Sequence, residues 1–210
     1  MLSNVNFIAL EVSISKERLS RYRTENSDIS KAISLYERNT LLAEAFYTSL
    51  QGLEICFRNK LHAALQLTYD NDWLLHERVP LAVEGRRHIA DAKDVLRSPR
   101  RLMTEGAIIA ELSLGFWVGL IGPSYDSTLW RKALYRVFSA NGRYLRRKDV
   151  HGRFNAIRRF RNRVAHHEPI WDQDLLSRHR EIIEAIGWMC ADTAQWVDRR
   201  SRLPGVVLDQ

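Results

Sequence analysis

Twelve residues near the C-terminal third, Arg158-Arg159-Phe160-Arg161-Asn162-Arg163-Val164-Ala165-His166-His167-Glu168-Pro169, put fixed positive charge, an amide and two imidazoles on one short stretch. A guanidinium grips phosphate through two donors, and an imidazole titrates near neutral pH. Together they are a minimal kit for cutting a phosphodiester without a metal. Pro169 lacks a backbone donor and pushes its predecessor out of the α region, so the helix carrying these groups is expected to end near His166 or His167. Arg161 and His166 are five positions apart, about 140° around an ideal helix, so a regular helix would not aim both at one point. Unwinding of the last turn ahead of Pro169 is expected to swing His166 back over the concavity that Arg161 faces.

The surrounding charge is one-sided. From Arg143 to Arg163 there are nine basic residues, Arg143, Arg146, Arg147, Lys148, Arg153, Arg158, Arg159, Arg161 and Arg163, opposed by Asp149 alone. Like charges four apart on a helix repel, so a solvated face normally mixes signs. Arginine outnumbers lysine eight to one here, and arginine both pairs with phosphate and stacks on bases. These residues, beside Arg161, are therefore read as a nucleic-acid-binding surface, which the resemblance given below narrows to RNA. The plainer alternative is a helix compensated by acids elsewhere, such as Glu181 and Glu184.

The elements that position this stretch are helical. A long helix is expected from an Asp28 cap to Tyr69, with Leu42, Phe46, Leu50, Leu53, Phe57, Leu61 and Ala64 at steps of 4, 4, 3, 4, 4 and 3. That repeat, near 3.67 residues per turn, keeps one apolar stripe on one face, and Gly52 admits a close neighbour. Glu54, Arg58 and His62 run beside the stripe at i, i+4 and i+8, with Asn59 alongside. Their default reading is an intrahelical Glu54–Arg58 pair. Polar groups bordering a core need partners, however, and the Arg161 helix is the natural candidate. Glu54, Arg58, Asn59 and His167 are accordingly expected to support Arg161 and His166 from behind.

The remaining chain reads as an N-terminal extended arm over residues 1–14, a short helix from Ser15, an outer helix over 81–96 and an apolar helix over 104–122. An amphipathic helix over 127–138, one from about Asp149 to His166, and a last helix from about Asp172 through Trp196 follow. Residues 204–210 form a tail. No stretch alternates with period two for long enough to compel a strand, so the fold class is all-α, a helical bundle with added helices in a single domain over 1–210.

Composition sets outer limits. The 210 residues are 45% hydrophobic and 27% charged, ordinary for a globular chain, with net charge +7 and pI near 9.7. That balance favours a polyanionic partner. Cys56 and Cys190 lie in apolar helical patterns and read as reduced thiols of a cytoplasmic protein. Met1 to Leu10 has no basic leader region, and the most apolar run, Gly106 to Gly122, carries Glu111 and is short for a bilayer. No membrane association is expected. Phosphate-cradling glycine loops, nucleophile elbows and dinucleotide fingerprints are absent. A metal reading of His167 and Glu168 with His179 is disfavoured, since adjacent residues point apart and paired carboxylates are missing. No cofactor is expected.

Arg161-Asn162-x-x-x-His166 matches the R-N-x-x-x-H form of the HEPN superfamily signature. The wider chain resembles its Abi-like (abortive infection) branch. That resemblance rests on Leu35-Tyr36-Glu37-Arg38-Asn39, Leu53-Glu54-Ile55-Cys56-Phe57-Arg58-Asn59, Glu111-Leu112-Ser113-Leu114-Gly115-Phe116-Trp117, and Arg161 through Ile170, in that order along residues 30–200. It implies a HEPN helical core and metal-independent endoribonuclease activity. It further implies a composite site in which two motif copies face each other across a homodimer. On this chain the matching catalytic pair is Arg161 and His166, with Asn162 the polar residue that shapes the motif. The same resemblance implies a toxin or phage-defence effector, with an RNA or protein antitoxin as a further partner. Two other readings stand beside it. One is a non-catalytic RNA-binding or regulatory module. The other is a scaffold whose basic face meets an acidic protein.

Overall fold

The computed structural model describes residues 6–23, 28–69, 72–76, 78–97 and 103–208. It is all-α, as the sequence requires, with α-helices joined by short turns and one two-residue hairpin. The helix expected over 28–69 is two. Asp28 caps α3 (Ile29–Ala45) by accepting from the Lys31 N–H at 2.9 Å, and α4 (Tyr47–Thr68) follows after Phe46. The stripe holds across the join: Leu42, Phe46, Leu50, Leu53, Phe57 and Leu61 are all buried. Gly52 earns its place, since a Cβ there would meet Val197 Cγ2 at 2.5 Å.

Around α4 pack α8 (Leu114–Leu120), α9 (Arg147–Ala165), α10 (Leu175–Gly187) and α11 (Ala191–Arg200). Aromatic pairs set the spacing between α4 and α9. Phe57 stacks on Phe154 at 4.2 Å, and Phe46 meets Phe160 edge-on at 4.7 Å. Beyond Phe160 the facing residues shrink to Val164 and Ala165, so the helices stay apart with less to fill the gap. A cleft opens there.

Several expectations about boundaries change. Residues 7–14 are not an extended arm but α1 (Phe7–Ile14), because Asn6 Oδ1 accepts from the Ile8 and Ala9 N–H groups and starts a helix. The short helix after Ser15 is α2 (Lys16–Ser20). Trp73 and Leu74, on α5 (Trp73–His76), are fully buried anchors, and the outer helix is α6 (Val83–Leu96). Asn26-Ser27, a turn pair expected to break the first helix ahead of the Asp28 cap, and Ser98-Pro99, expected to stop the outer helix, lie outside the described residues. The apolar run over 104–122 divides into α7 (Glu105–Glu111) and α8, since Ser113 accepts from the Phe116 N–H and starts a new helix. Residues 127–138 form no regular amphipathic helix. After Pro123 the chain winds through single turns of 3₁₀ and π type.

Asn141 and Gly142, both at positive φ (50° and 73°), then close a hairpin between β1 (Ser139–Ala140) and β2 (Arg143–Tyr144). Two left-handed residues match the twist of the flanking strands, and Asn-Gly is the pair that adopts them most readily. The last expected helix is broken at Trp188–Cys190, where the Trp188 carbonyl accepts from the Ser139 N–H instead of continuing the ladder. The C-terminal tail is α12 (Leu203–Leu208), with Pro204 in its first turn and Leu203 wholly buried. No described helix is long and apolar enough to cross a membrane.

Candidate active-site cleft

The last turn of α9 decides how the motif is presented. The helix ends where expected, at Ala165. The His166 N–H still bonds the Asn162 carbonyl at 2.9 Å, but its backbone (φ −92°, ψ 12°) has left the helical region, so His166 is the C-cap. The chain turns one residue later, at His167 (φ 57°), and the Glu168 N–H closes onto the Arg163 carbonyl at 2.8 Å. The consequence is geometric. His166 retains its five-residue offset from Arg161 and is exposed at the helix end, and it is His167, not His166, that lines the cleft holding Arg161.

That cleft, about 600 Å³, lies between the α3–α4 join and the end of α9. Its polar lining includes Arg161, Glu54, Arg58 and His167, and Ala43, Leu50, Val164 and Ala165 form apolar wall. Glu54 Oε2 stands 3.4 Å from Arg161 Nε. The expected intrahelical Glu54–Arg58 pair is thus replaced by one across helices, which braces the guanidinium from its Nε edge. Arg161 remains 38% exposed at the side chain, leaving donors for a ligand. Arg58 Nε is sealed from water with no hydrogen-bond partner, a second cation with unspent capacity on the same wall. Asn59 is elsewhere: it is exposed on a separate hollow beside Lys60 and Trp196. Asn162 lies off the cleft, about a quarter-turn from Arg161, and contributes its carbonyl to the His166 N–H.

One residue that shapes the motif was not singled out for a role from sequence. Asn39, buried at 4% exposure, accepts the Ile170 and Trp171 N–H groups on Oδ1 at 2.7 and 3.2 Å. Its amide donates to the Glu168 carbonyl at 3.4 Å. A single side chain from α3 therefore holds the segment just past the two histidines. The signal was present: Asn39 sits three residues before Leu42, on the apolar stripe, where a polar side chain must find partners.

The basic run divides by partner. Arg147 is tied to Asp126 at 3.0 Å, Arg153 to Glu184 at 2.7 Å while lying over the Trp188 ring, and Arg146 to Asp149 at 2.7 Å. Arg158 donates twice to Asn155, and Arg163 binds the Pro169 carbonyl and faces Glu168. Arg143, Lys148 and Arg159 are exposed and have no acidic partner among the described residues. Acids from outside the run therefore compensate several of its charges, though with Glu184 on Arg153 and Glu181 instead pairing with Arg178. Arg161 differs from Arg147 and Arg153 in opening onto a cleft.

Two other histidines, His62 and His179, are structural. His62 Nδ1 accepts from the buried Trp73 indole at 3.0 Å, and burial holds its pKa below the ordinary value against the pull of Glu105. His179 is buried beside Asp198 and likewise depressed by burial. Phe116 and Trp117 are core residues. Both cysteines are free thiols. Among the described residues, no three His, Cys, Asp or Glu side chains are grouped as a metal ion requires.

Compared with known proteins, the chain matches no family model, no curated protein and no solved structure.

Proposed function

We propose that the protein is a metal-independent RNA endonuclease of the Abi-like HEPN type, acting as a homodimer. The observation that carries this reading is Arg161, a half-exposed guanidinium braced by Glu54 at the mouth of a cleft with a histidine on its wall. RNA supplies its own nucleophile, so the protein need only remove the 2′-OH proton, stabilise charge on phosphorus and protonate the departing oxygen. Arg161 binds the non-bridging oxygens as their charge grows. The 2′-oxygen forms its bond to phosphorus, the bond to the 5′-oxygen breaks, and that oxygen takes a proton. The products are a 2′,3′-cyclic phosphate and a 5′-OH.

His166 is the proton-transfer group, and its exposed position on the end of α9 is what lets it serve a facing copy rather than its own Arg161. Two copies then supply two imidazoles, one for each transfer. The biological role is a toxin or phage-defence effector held in check by an RNA or protein antitoxin. Wild type, Arg161→Ala and His166→Ala, incubated with total RNA and chelator and followed by end-group mapping, test the chemistry. Cleavage undiminished in His166→Ala removes the assignment.

That His166 is not among the residues lining the Arg161 cleft favours a second reading, an RNA-binding module without proton transfer. Salt-sensitive RNA binding by wild type with no cyclic-phosphate product selects it.

A further inference from the structure

On the far side of His167 from the Arg161 cleft lies a second, smaller hollow of about 240 Å³. Arg18, Arg21, Tyr22 and His167 line it, with Ser15, Glu17 and Pro169. Arg18 is fixed by its own hydrogen bond, Nη1 donating to the His167 carbonyl at 2.9 Å, which leaves the rest of its fork unused. Arg21 faces no carboxylate partner among the described residues. Tyr22 is 1% exposed, and its hydroxyl, closed off from water, interacts with the Asn39 side chain. The one carboxylate of the lining, Glu17, is exposed, and its own backbone N–H and the Ser15 hydroxyl hold its pKa low, so its charge offsets part of that of Arg18 and Arg21.

We infer that this hollow binds a phosphate group. Two guanidiniums three residues apart, one already immobilised, form the fork that phosphate oxygens accept from. Its position names the source the geometry favours. His167 lines both hollows, so a strand whose one phosphate meets Arg161 passes its neighbouring phosphate over the imidazole to Arg18 and Arg21. This strand assignment rests on the nuclease reading, whereas the phosphate site itself does not. It also gives α1 and α2 a purpose: they bring the basic pair to the motif's back edge.

The test uses the full chain as wild type, Arg21→Gln and Tyr22→Phe, with Arg161→Ala as the control for the main cleft. Anisotropy of a labelled single-stranded oligoribonucleotide is measured from 50 to 200 mM salt, and inorganic phosphate is titrated by phosphorus NMR. Arg21 is exposed, so its replacement leaves the fold intact, and unchanged melting confirms it. Arg21→Gln is expected to weaken oligoribonucleotide binding about tenfold and lower the salt slope by about one. Tyr22→Phe removes only a hydroxyl sealed beside Asn39 and is expected to leave binding at the wild-type level. Inorganic phosphate should compete at wild type and lose its hold in Arg21→Gln. An Arg21→Gln protein that binds both probes like wild type overturns the site. Phosphate binding that depends on Arg21 while RNA binding does not keeps the site and assigns it to free phosphate. Arg21-dependent RNA binding in a protein that cleaves nothing overturns the nuclease reading and leaves the site standing.

Discussion

Two clusters two turns apart on α4 began as one pattern, Glu54, Arg58 and His62, and ended differently. At the far end, His62 accepts from Trp73 and faces Glu105 at 3.7 Å, while Glu105 also takes the Gln66 amide and the Leu74 N–H, both at 3.2 Å. Three hydrogen bonds take up most of its polar atoms, and its side chains are about 15% exposed. At the near end, Glu54 meets Arg161 at 3.4 Å, Arg161 is 38% exposed, and Arg58 Nε has no partner. One cluster is closed and holds α5 and α7 to α4. The other is open and has capacity for a ligand. Polar residues beside an apolar stripe thus divide by whether the fold saturates them.

The largest effect that separates the two is on cleavage. Arg161→Ala should lower RNA cleavage by about 10²–10³-fold, since it removes a donor aimed at developing charge. Melting should move little for a half-exposed side chain, and a cleavage rate within twofold of wild type would abolish the distinction. Glu54→Gln keeps the size but removes the charge that braces Arg161. A loss of roughly 10–100-fold in cleavage is expected, as for misplacement of a catalytic group. An unchanged rate would take Glu54 out of the site.

The closed cluster should respond in stability instead. His62→Leu leaves the Trp73 indole N–H buried without its acceptor, at a cost of about 1–3 kcal/mol, read by urea denaturation. RNA cleavage per folded molecule should stay at the wild-type level. Asn39→Ala should act on both measures. It strips the acceptor from two backbone N–H groups, costing about 1–3 kcal/mol, and it loosens the segment after His167, so cleavage falls with stability.

The smallest effect is a pH dependence. Burial depresses His62, His151 and His179, with Arg147 and Arg158 adding to the shift at His151. A native pKa below the unfolded one means the unfolded chain takes the proton first. Stability from these groups is full above pH 6.5, the ordinary histidine value, and is lost as pH falls below it toward the native values. The melting temperature should therefore drop on acidification through this range, and His62→Gln should flatten part of that slope. A melting temperature level from pH 7 to 5 would contradict it.

Much of the fold was legible. The stripe on α3 and α4, the α9 boundary ahead of Pro169 and the role of Gly52 all follow from spacing and from proline and glycine chemistry. At Phe46 the backbone stays in the αR region with no capping side chain, so nothing local marks the join. The breaks at Ser113 and Trp188–Cys190 share a cause. Each interrupts a run whose apolar periodicity continues across it, so only a cap or a backbone bond from elsewhere marks the end. The Trp188 carbonyl is diverted by Ser139, 49 residues earlier, and no local pattern announces that. In the site, the Glu54–Arg161 pairing was foreseen because a border carboxylate needs a partner. The side of the helix end on which each histidine falls was not.

By itself the sequence determined an all-α chain, a basic one, and a motif helix that must stop before Pro169. Those properties are local, set by backbone sterics and by the periodicity of side chains. Tertiary structure decided the rest: that His167 rather than His166 shares a cleft with Arg161, that Asn39 fastens the following segment, and that Arg18 reaches round to the His167 carbonyl. Each depends on partners more than a hundred residues away in the chain for all but the first. The first turns on a single left-handed residue, whose φ is affordable only because the Glu168 N–H and the Asn39 amide fix the chain on its far side.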